Sequence, residues 1–176
     1  MTTTLQRRGR AWRISGPDGR LIPNVDTDQI FHNAHLAITE RSQMAPFAFG
    51  NLEGWEDFPT RVQAGDMLLV GPNFGSGSSR QQAVDCFLAL GVSAIVGVSF
   101  AAIYQRNAVN AALPLVLFPG LEEAPVATGD EVELDLATGS LRNLTSGDEV
   151  SGVRPLSQVQ LDILQAGDLF AFAKNS

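Results

Sequence analysis

The chain has 176 residues, 44% of them hydrophobic, which suits one domain with a substantial core and argues against wholesale disorder. Its formal charge is -7, with Lys174 as the single lysine, so no basic face is on offer to nucleic acid. The one cysteine, Cys86, excludes an internal disulfide and falls short of the thiolate set of an iron–sulfur or structural zinc site. Any such cofactor must therefore come from another chain, and the low cysteine content suits a reducing cytoplasm.

The first residues, "MTTTLQRRGRAWR", are basic but lack the apolar core of a secretory signal. A transit peptide fits them, as does a frayed leader over residues 1–9 ahead of a first strand "AWRIS" at 11–15. "GPDGR" at 16–20 is turn chemistry. "NVDTDQI" at 24–30 is compact and polar, with carboxylates on either side of Thr27. "TERSQMAPFAF" at 39–49 is weakly helical and limited by Pro46, and the stretch from Asn51 to Asp66 reads as loop.

The centre is better defined. "MLLV" at 67–70, "AIVGV" at 94–98 and "LVLF" at 115–118 are short continuous apolar runs, as expected of strands buried on both faces. Between them lie a helix near 79–90, with Ala83, Val84, Phe87 and Leu88 on one face and Gly91 as its stop, and a second helix. That second helix carries Phe100, Ile103, Tyr104 and Ala108, with Ser99 as a candidate cap. Strand–helix–strand–helix–strand implies right-handed parallel crossovers. The tail differs: "EVELDL" at 131–136 alternates, "LRNL" can return antiparallel, and "LSQVQLDILQAG" is an amphipathic helix stopped by Gly167. No run approaches the roughly 18 apolar residues of a membrane helix. The expectation is a single α/β domain over 1–176, with a parallel βαβαβ centre and a β-rich, partly antiparallel or barrel-like periphery.

The loop "GPNFGSGSSR", 71–80, follows the first central strand, where open α/β sheets bind ligands. Gly75 and Gly77 permit close approach of the main chain, and Ser76, Ser78 and Ser79 supply hydroxyls. Arg80 supplies a fork that matches a carboxylate or phosphate, and the following helix turns its free amides toward the same place. This is neither a P-loop, nor a nucleophile elbow, nor a complete dinucleotide fingerprint. It suits a small anion, although a Gly/Ser loop that merely connects strand to helix has the same composition.

"NFGSGSSRQQA", "SFAAIYQRNAVNAALPL" at 99–115 and "NVDTDQI" stand in the order found in the small subunit of 3-isopropylmalate dehydratase. The chain resembles that swivelling-domain branch of the aconitase superfamily, which includes the homoaconitase and dimethylmalate dehydratase small subunits, over about residues 10–172. "DLATGSLRN" and "ILQAGDLF" fit the family's tail. The resemblance implies a hydro-lyase acting on hydroxy di- or tricarboxylic acids. It implies a [4Fe-4S] cluster on a separate large subunit, with none bound by this chain, and no nucleic-acid or membrane partner.

By position in the family's motifs, Ser78 is the general base, and Ser79 and Arg80 hold a substrate carboxylate beside Gly77. Thr27 and Asp28 match its "TD" pair, in which Asp28 helps arrange the site. The alternative readings are that Ser78 is an N-cap hydroxyl and "DTD" a simple Asx-turn. Leu36, Ala37 and Ile38 fall in the family's substrate-reading loop. Their apolar character suits an alkyl group such as isopropyl over an extra carboxylate, unless Leu36 and Ile38 are simply core. His32 and His35 lack a third metal ligand. The family commonly has Cys at position 76 and Glu followed by His or Gln at 81–82, where this chain has Ser76, Gln81 and Gln82. These departures keep open a stand-alone anion-binding module on the same fold.

Overall fold

The computed structural model describes residues 4–176. A seven-stranded mixed sheet forms its centre, built from β1 (Gln6–Arg13), β2 (Met67–Val70), β3 (Ala94–Gly97), β4 (Leu115–Leu117), β5 (Glu131–Asp135), β6 (Leu141–Asn143) and β7 (Glu149–Val150). The spatial order is β4-β3-β2-β1-β5-β6-β7. β1 to β4 run parallel, with Trp12 beside Leu68, Leu69 beside Val96 and Val96 beside Val116. β5, β6 and β7 continue as an antiparallel wing.

β1 joins the two halves. Gln6–Arg10 pairs with β5, and Ala11–Arg13 pairs with β2. The strand thus begins at Gln6, which corrects the expectation of a frayed leader over 1–9 and a first strand at 11–15. Residues 1–3 of that expected leader lie outside the described residues. The arginines of "QRRGR" hide the strand because they have partners in place: Arg8 donates to Glu131 at 2.8 Å and Arg10 to Asp66 at 3.0 Å. Asp66 also accepts from the Trp12 indole at 2.8 Å and from the Gln63 amide at 2.9 Å, so one buried carboxylate fastens β1 to the turn before β2.

The apolar runs are buried on both faces as their composition requires. Leu68 and Val70 face one core with Phe74, Phe87 and Tyr104, while Met67 and Leu69 face the other with Val116, Leu134 and Leu164. Each such side chain contributes about 1.5–3 kcal/mol when fully buried. Two crossover helices connect the central strands, and two short helices precede them. α1 (Thr27–Ile30) and α2 (Phe58–Arg61) precede β2; α3 (Gln82–Leu90) joins β2 to β3, and α4 (Ala102–Asn110) joins β3 to β4. Gly91 ends α3 in the left-handed region with φ 78°.

Several local expectations shift. The weakly helical 39–49 is two tight 3₁₀ turns, Arg41–Gln43 and Ala45–Phe47, and α2 interrupts the expected loop. Ser99 does not cap α4, whose N-cap is Ala101 without a side-chain bond. The tail ends in α5 (Gln158–Ala166), with a Ser157–Gln160 capping box, and α6 (Leu169–Lys174), capped by Asp168.

Candidate active site

The 71–81 loop leaves the carboxyl end of β2 and is fastened on both sides. Toward the chain's start, the Gly75 amide donates to Val25 O at 2.7 Å and the Thr27 amide to Ser76 O at 2.8 Å. Toward β3, the Phe74 amide donates to Ser99 O at 3.2 Å and the Ala101 amide to Phe74 O at 3.0 Å. Ser99 Oγ accepts from the Asn73 amide at 2.8 Å, so its hydroxyl serves this loop. Beneath, Phe74 is fully buried, with Tyr104 edge-on at 5.5 Å. A Cβ on Gly75 would lie 2.2 Å from the Tyr104 ring, and Gly75 already sits at φ 84°, so only glycine fits there.

Above this floor Ser78 and Ser79 are exposed, and no protein acceptor takes the amide hydrogens of 77–81 among the described residues. α3 begins at Gln82, after an N-cap, Gln81, whose side chain makes no capping bond. Ser78 is therefore not the cap of α3. Instead its carbonyl accepts from buried Thr27 Oγ1 at 2.9 Å, which fixes the backbone of residue 78 while leaving the hydroxyl outside.

Arg80 is mostly buried, with 11% of its side chain exposed. Its Nη1 donates to Asp28 Oδ1 at 3.0 Å and to Phe31 O at 2.6 Å. Nε and Nη2 meet no protein acceptor among the described residues. One edge of the fork is thus anchored and the other is free. Asp28 is oriented in turn: Oδ1 also accepts from the Asn33 amide at 3.0 Å, and Oδ2 from Asn51 Nδ2 at 3.0 Å. The Arg80 hydrogen bond holds the Asp28 carboxyl below the usual carboxylate range; partial burial opposes this, and the Asn33 amide and the neighbouring positive charge reinforce it.

The "DTD" stretch is a capped turn as well as part of the site. Asp26 caps α1 in a capping box with Gln29, and its neighbours Thr27 and Asp28 point to the loop and to Arg80. The Leu36–Ile38 segment abuts the cradle, since Gln82 Nε2 reaches Leu36 O at 3.4 Å. Leu36 is 39% exposed and Ala37 is exposed, whereas Ile38 packs against the core. Gln81 bonds Asp85 at 3.2 Å, and Ser76 Oγ donates to Asn24 O at 3.4 Å. Two polar partners escaped the sequence reading: Asn51, set in an unpatterned loop, and Asn107 on α4, whose Nδ2 donates to Ser79 Oγ at 3.1 Å.

His32 Nδ1 accepts from the Ala34 amide, and His35 stacks on Phe47 with centroids 4.0 Å apart. Among the described residues no three His, Cys, Asp or Glu side chains converge as metal ligands. Cys86 is buried in α3, and burial pushes its thiol far up, so it does not fit a metal or cluster ligand. Among the described residues no helix is long and apolar enough to cross a membrane.

A family model described as the aconitase C-terminal domain matches residues 54–119, which hold β2, the loop, α3, β3 and α4. The isopropylmalate/citramalate isomerase small subunit of Methanocaldococcus jannaschii is 38% identical over 167 residues, 95% of this chain and 93% of that protein. A methanogen homoaconitase small subunit from Methanothermobacter thermautotrophicus is 38% identical over 163 residues, 92% of this chain and 87% of that one. A crystal structure of 3-isopropylmalate dehydratase from M. jannaschii superimposes with a TM-score of 0.82 at 30% identity, covering 97% of this chain and 94% of the other. The parallel centre, the serine-rich loop after β2 and these likenesses together define an aconitase-type swivelling subunit of a hydro-lyase. Within that class the chain belongs to the 3-isopropylmalate dehydratase small-subunit family.

Proposed function

We propose that the chain is the smaller half of a two-subunit cytoplasmic hydro-lyase that interconverts 3- and 2-isopropylmalate for leucine biosynthesis. The [4Fe-4S] cluster resides on its large-subunit companion, since the residues of this chain do not suit one. The observation that carries the reading is the half-anchored Arg80 fork beside two exposed serines and a run of unpaired amides. A fork with one edge tied to Asp28 and Phe31 presents the other in a fixed direction, which is what two-point recognition of a carboxylate requires.

In this reading Arg80 and Ser79 hold the substrate carboxylate, with Gly77 keeping the main chain close. Ser78, ionised to its alkoxide, takes a proton from the carbon beside that carboxylate and becomes a hydroxyl. The C–H electron pair becomes the new C=C bond as the hydroxyl on the neighbouring carbon leaves with the C–O pair as hydroxide, for which the partner's cluster would supply the Lewis acid, and the reverse steps add water. A serine is a poor base unless negative oxygen is stabilised; the amides of 77–81, which have no acceptor among the described residues, and the Arg80 charge support that role. Asp28 keeps Arg80 in position, and Thr27 keeps the residue 78 backbone in position.

Exposed Leu36 and Ala37 beside Gln82 favour an alkyl side chain, because their own side chains offer a second carboxylate neither a charge nor a hydrogen-bond donor. The homoaconitase relative makes the competing substrate class a hydroxy tricarboxylic acid. The test is co-expression with a large subunit, anaerobic cluster assembly and hydration assays on unsaturated diacids with alkyl or carboxyalkyl side chains. Turnover of the alkyl series is expected. Preference for the carboxyalkyl series would assign a homoaconitase-type enzyme, and no turnover by a fully assembled complex would leave a non-catalytic anion-binding module.

A further inference from the structure

We infer that Asn107 is a positioning residue that sets the polarity of the Ser79 hydroxyl, so that its hydrogen is offered outward to a substrate carboxylate; this rests on the substrate role proposed for Ser79. A serine hydroxyl has one hydrogen to give and two lone pairs to receive. Left to rotate at an exposed position, it can turn either toward an approaching anion. Asn107 Nδ2 donates to Ser79 Oγ at 3.1 Å, which occupies a lone pair from the α4 side. The Ser79 hydrogen cannot lie along that same contact, and no protein acceptor takes it elsewhere among the described residues. The hydroxyl is left as a donor on its open side, next in sequence to the free edge of Arg80.

The helix that carries Asn107 is itself locked to the cradle. Tyr104, three residues earlier and so on the same helical face, donates its buried hydroxyl to Ala83 O in the first turn of α3 at 2.9 Å. One face of α4 thus fixes the start of α3 through Tyr104 and the hydroxyl of Ser79 through Asn107.

The experiment is a double-mutant cycle in the assembled two-subunit enzyme, with KM and kcat read for the diacid it turns over. Asn107→Ala and the near-isosteric Asn107→Leu each remove the donor but differ in packing. Both are expected to raise KM about five- to tenfold, the worth of one hydrogen bond, and to change kcat by less than about twofold. In a Ser79→Ala background neither should raise KM further, because the hydroxyl they orient is gone. Additive effects in the double variants overturn the inference, as does an unchanged KM in both single variants while Ser79→Ala alone raises it; either result leaves the proposed function standing. If Ser79→Ala itself leaves KM unchanged, the substrate role of Ser79 and the inference fall together. Loss of activity in Asn107→Ala that Asn107→Leu restores would assign Asn107 to packing and overturn the inference.

Discussion

Replacing Arg80 by lysine tests the geometry of the cradle while keeping its charge. The guanidinium has one nitrogen on Asp28 and Phe31 O and its remaining N–H edge without a protein partner among the described residues. A lysine ammonium is a single point with three hydrogens. It can satisfy Asp28 and the Phe31 carbonyl, or it can meet a substrate carboxylate, but it cannot present a separate planar edge to the ligand. Losing the two-point contact while retaining some attraction costs about 2–3 kcal/mol, given about 1.5–3 kcal/mol for a hydrogen bond to a charged group. That corresponds to a roughly 30- to 150-fold rise in KM. Steady-state kinetics of the assembled enzyme on an alkyl-substituted unsaturated diacid measures it, with size-exclusion chromatography to confirm that the subunits still associate. Because lysine keeps the Asp28 ion pair, urea unfolding of the small subunit should shift by less than about 1 kcal/mol, the scale of a partly exposed pair. An increase in KM below about threefold in a normally assembled complex would refute two-point binding through the free edge.

Further outcomes follow from the same structure. Gly75→Ala combines left-handed backbone at φ 84° with a Cβ 2.2 Å from Tyr104. It should destabilise the small subunit by about 2–5 kcal/mol in urea unfolding, from left-handed strain plus overpacking. Burial alone would raise the Asp66 carboxyl, yet hydrogen bonds from Trp12, Gln63 and Arg10 outweigh it and hold it below the ordinary range. A lowered folded pKa means its contribution is present above the unfolded value near 3.9 and is lost as pH falls through the folded one. Unfolding free energies measured from pH 7 down to about 3 should therefore fall less steeply in Asp66→Asn, which is also the less stable protein at pH 7. Ala37→Arg places a cation in the apolar segment beside the cradle. It should move the ratio of kcat/KM values toward carboxyalkyl substrates by about 10- to 100-fold, the worth of one charge-assisted bond.

The central strands were legible because burial on both faces leaves one kind of composition: "MLLV" is β2 residue for residue, and "AIVGV" and "LVLF" each overrun β3 and β4 by one residue. α3 and α5 were legible from their apolar stripes and glycine stops. β1 was not legible over Gln6–Arg10, because Arg8 and Arg10 pair with Glu131 and Asp66, residues more than fifty positions away. Nor could Asp66 be singled out, since its four donors converge only in three dimensions. At the candidate site the local motif could be read directly, and Asp28 does meet Arg80. Asn51 and Asn107 were invisible for the opposite reason: an asparagine carries no pattern of its own, and each acts through a partner brought up by a different element. Ser99 shows a cap signal spent on a neighbouring loop when the helix begins three residues later.

The central claim is that the exposed hydroxyl of Ser78 is the base of this site, held in place by Thr27 and served by free amides and Arg80. Its most direct test is single-turnover hydration by an assembled complex carrying Ser78→Ala, with subunit association and cluster content measured on the same sample. Turnover is expected to fall by at least about a hundredfold, the scale of one positioned acid–base group, with assembly unchanged. A fully assembled Ser78→Ala enzyme that turns over within about threefold of the parent would contradict the account, since general-base contributions run far above that.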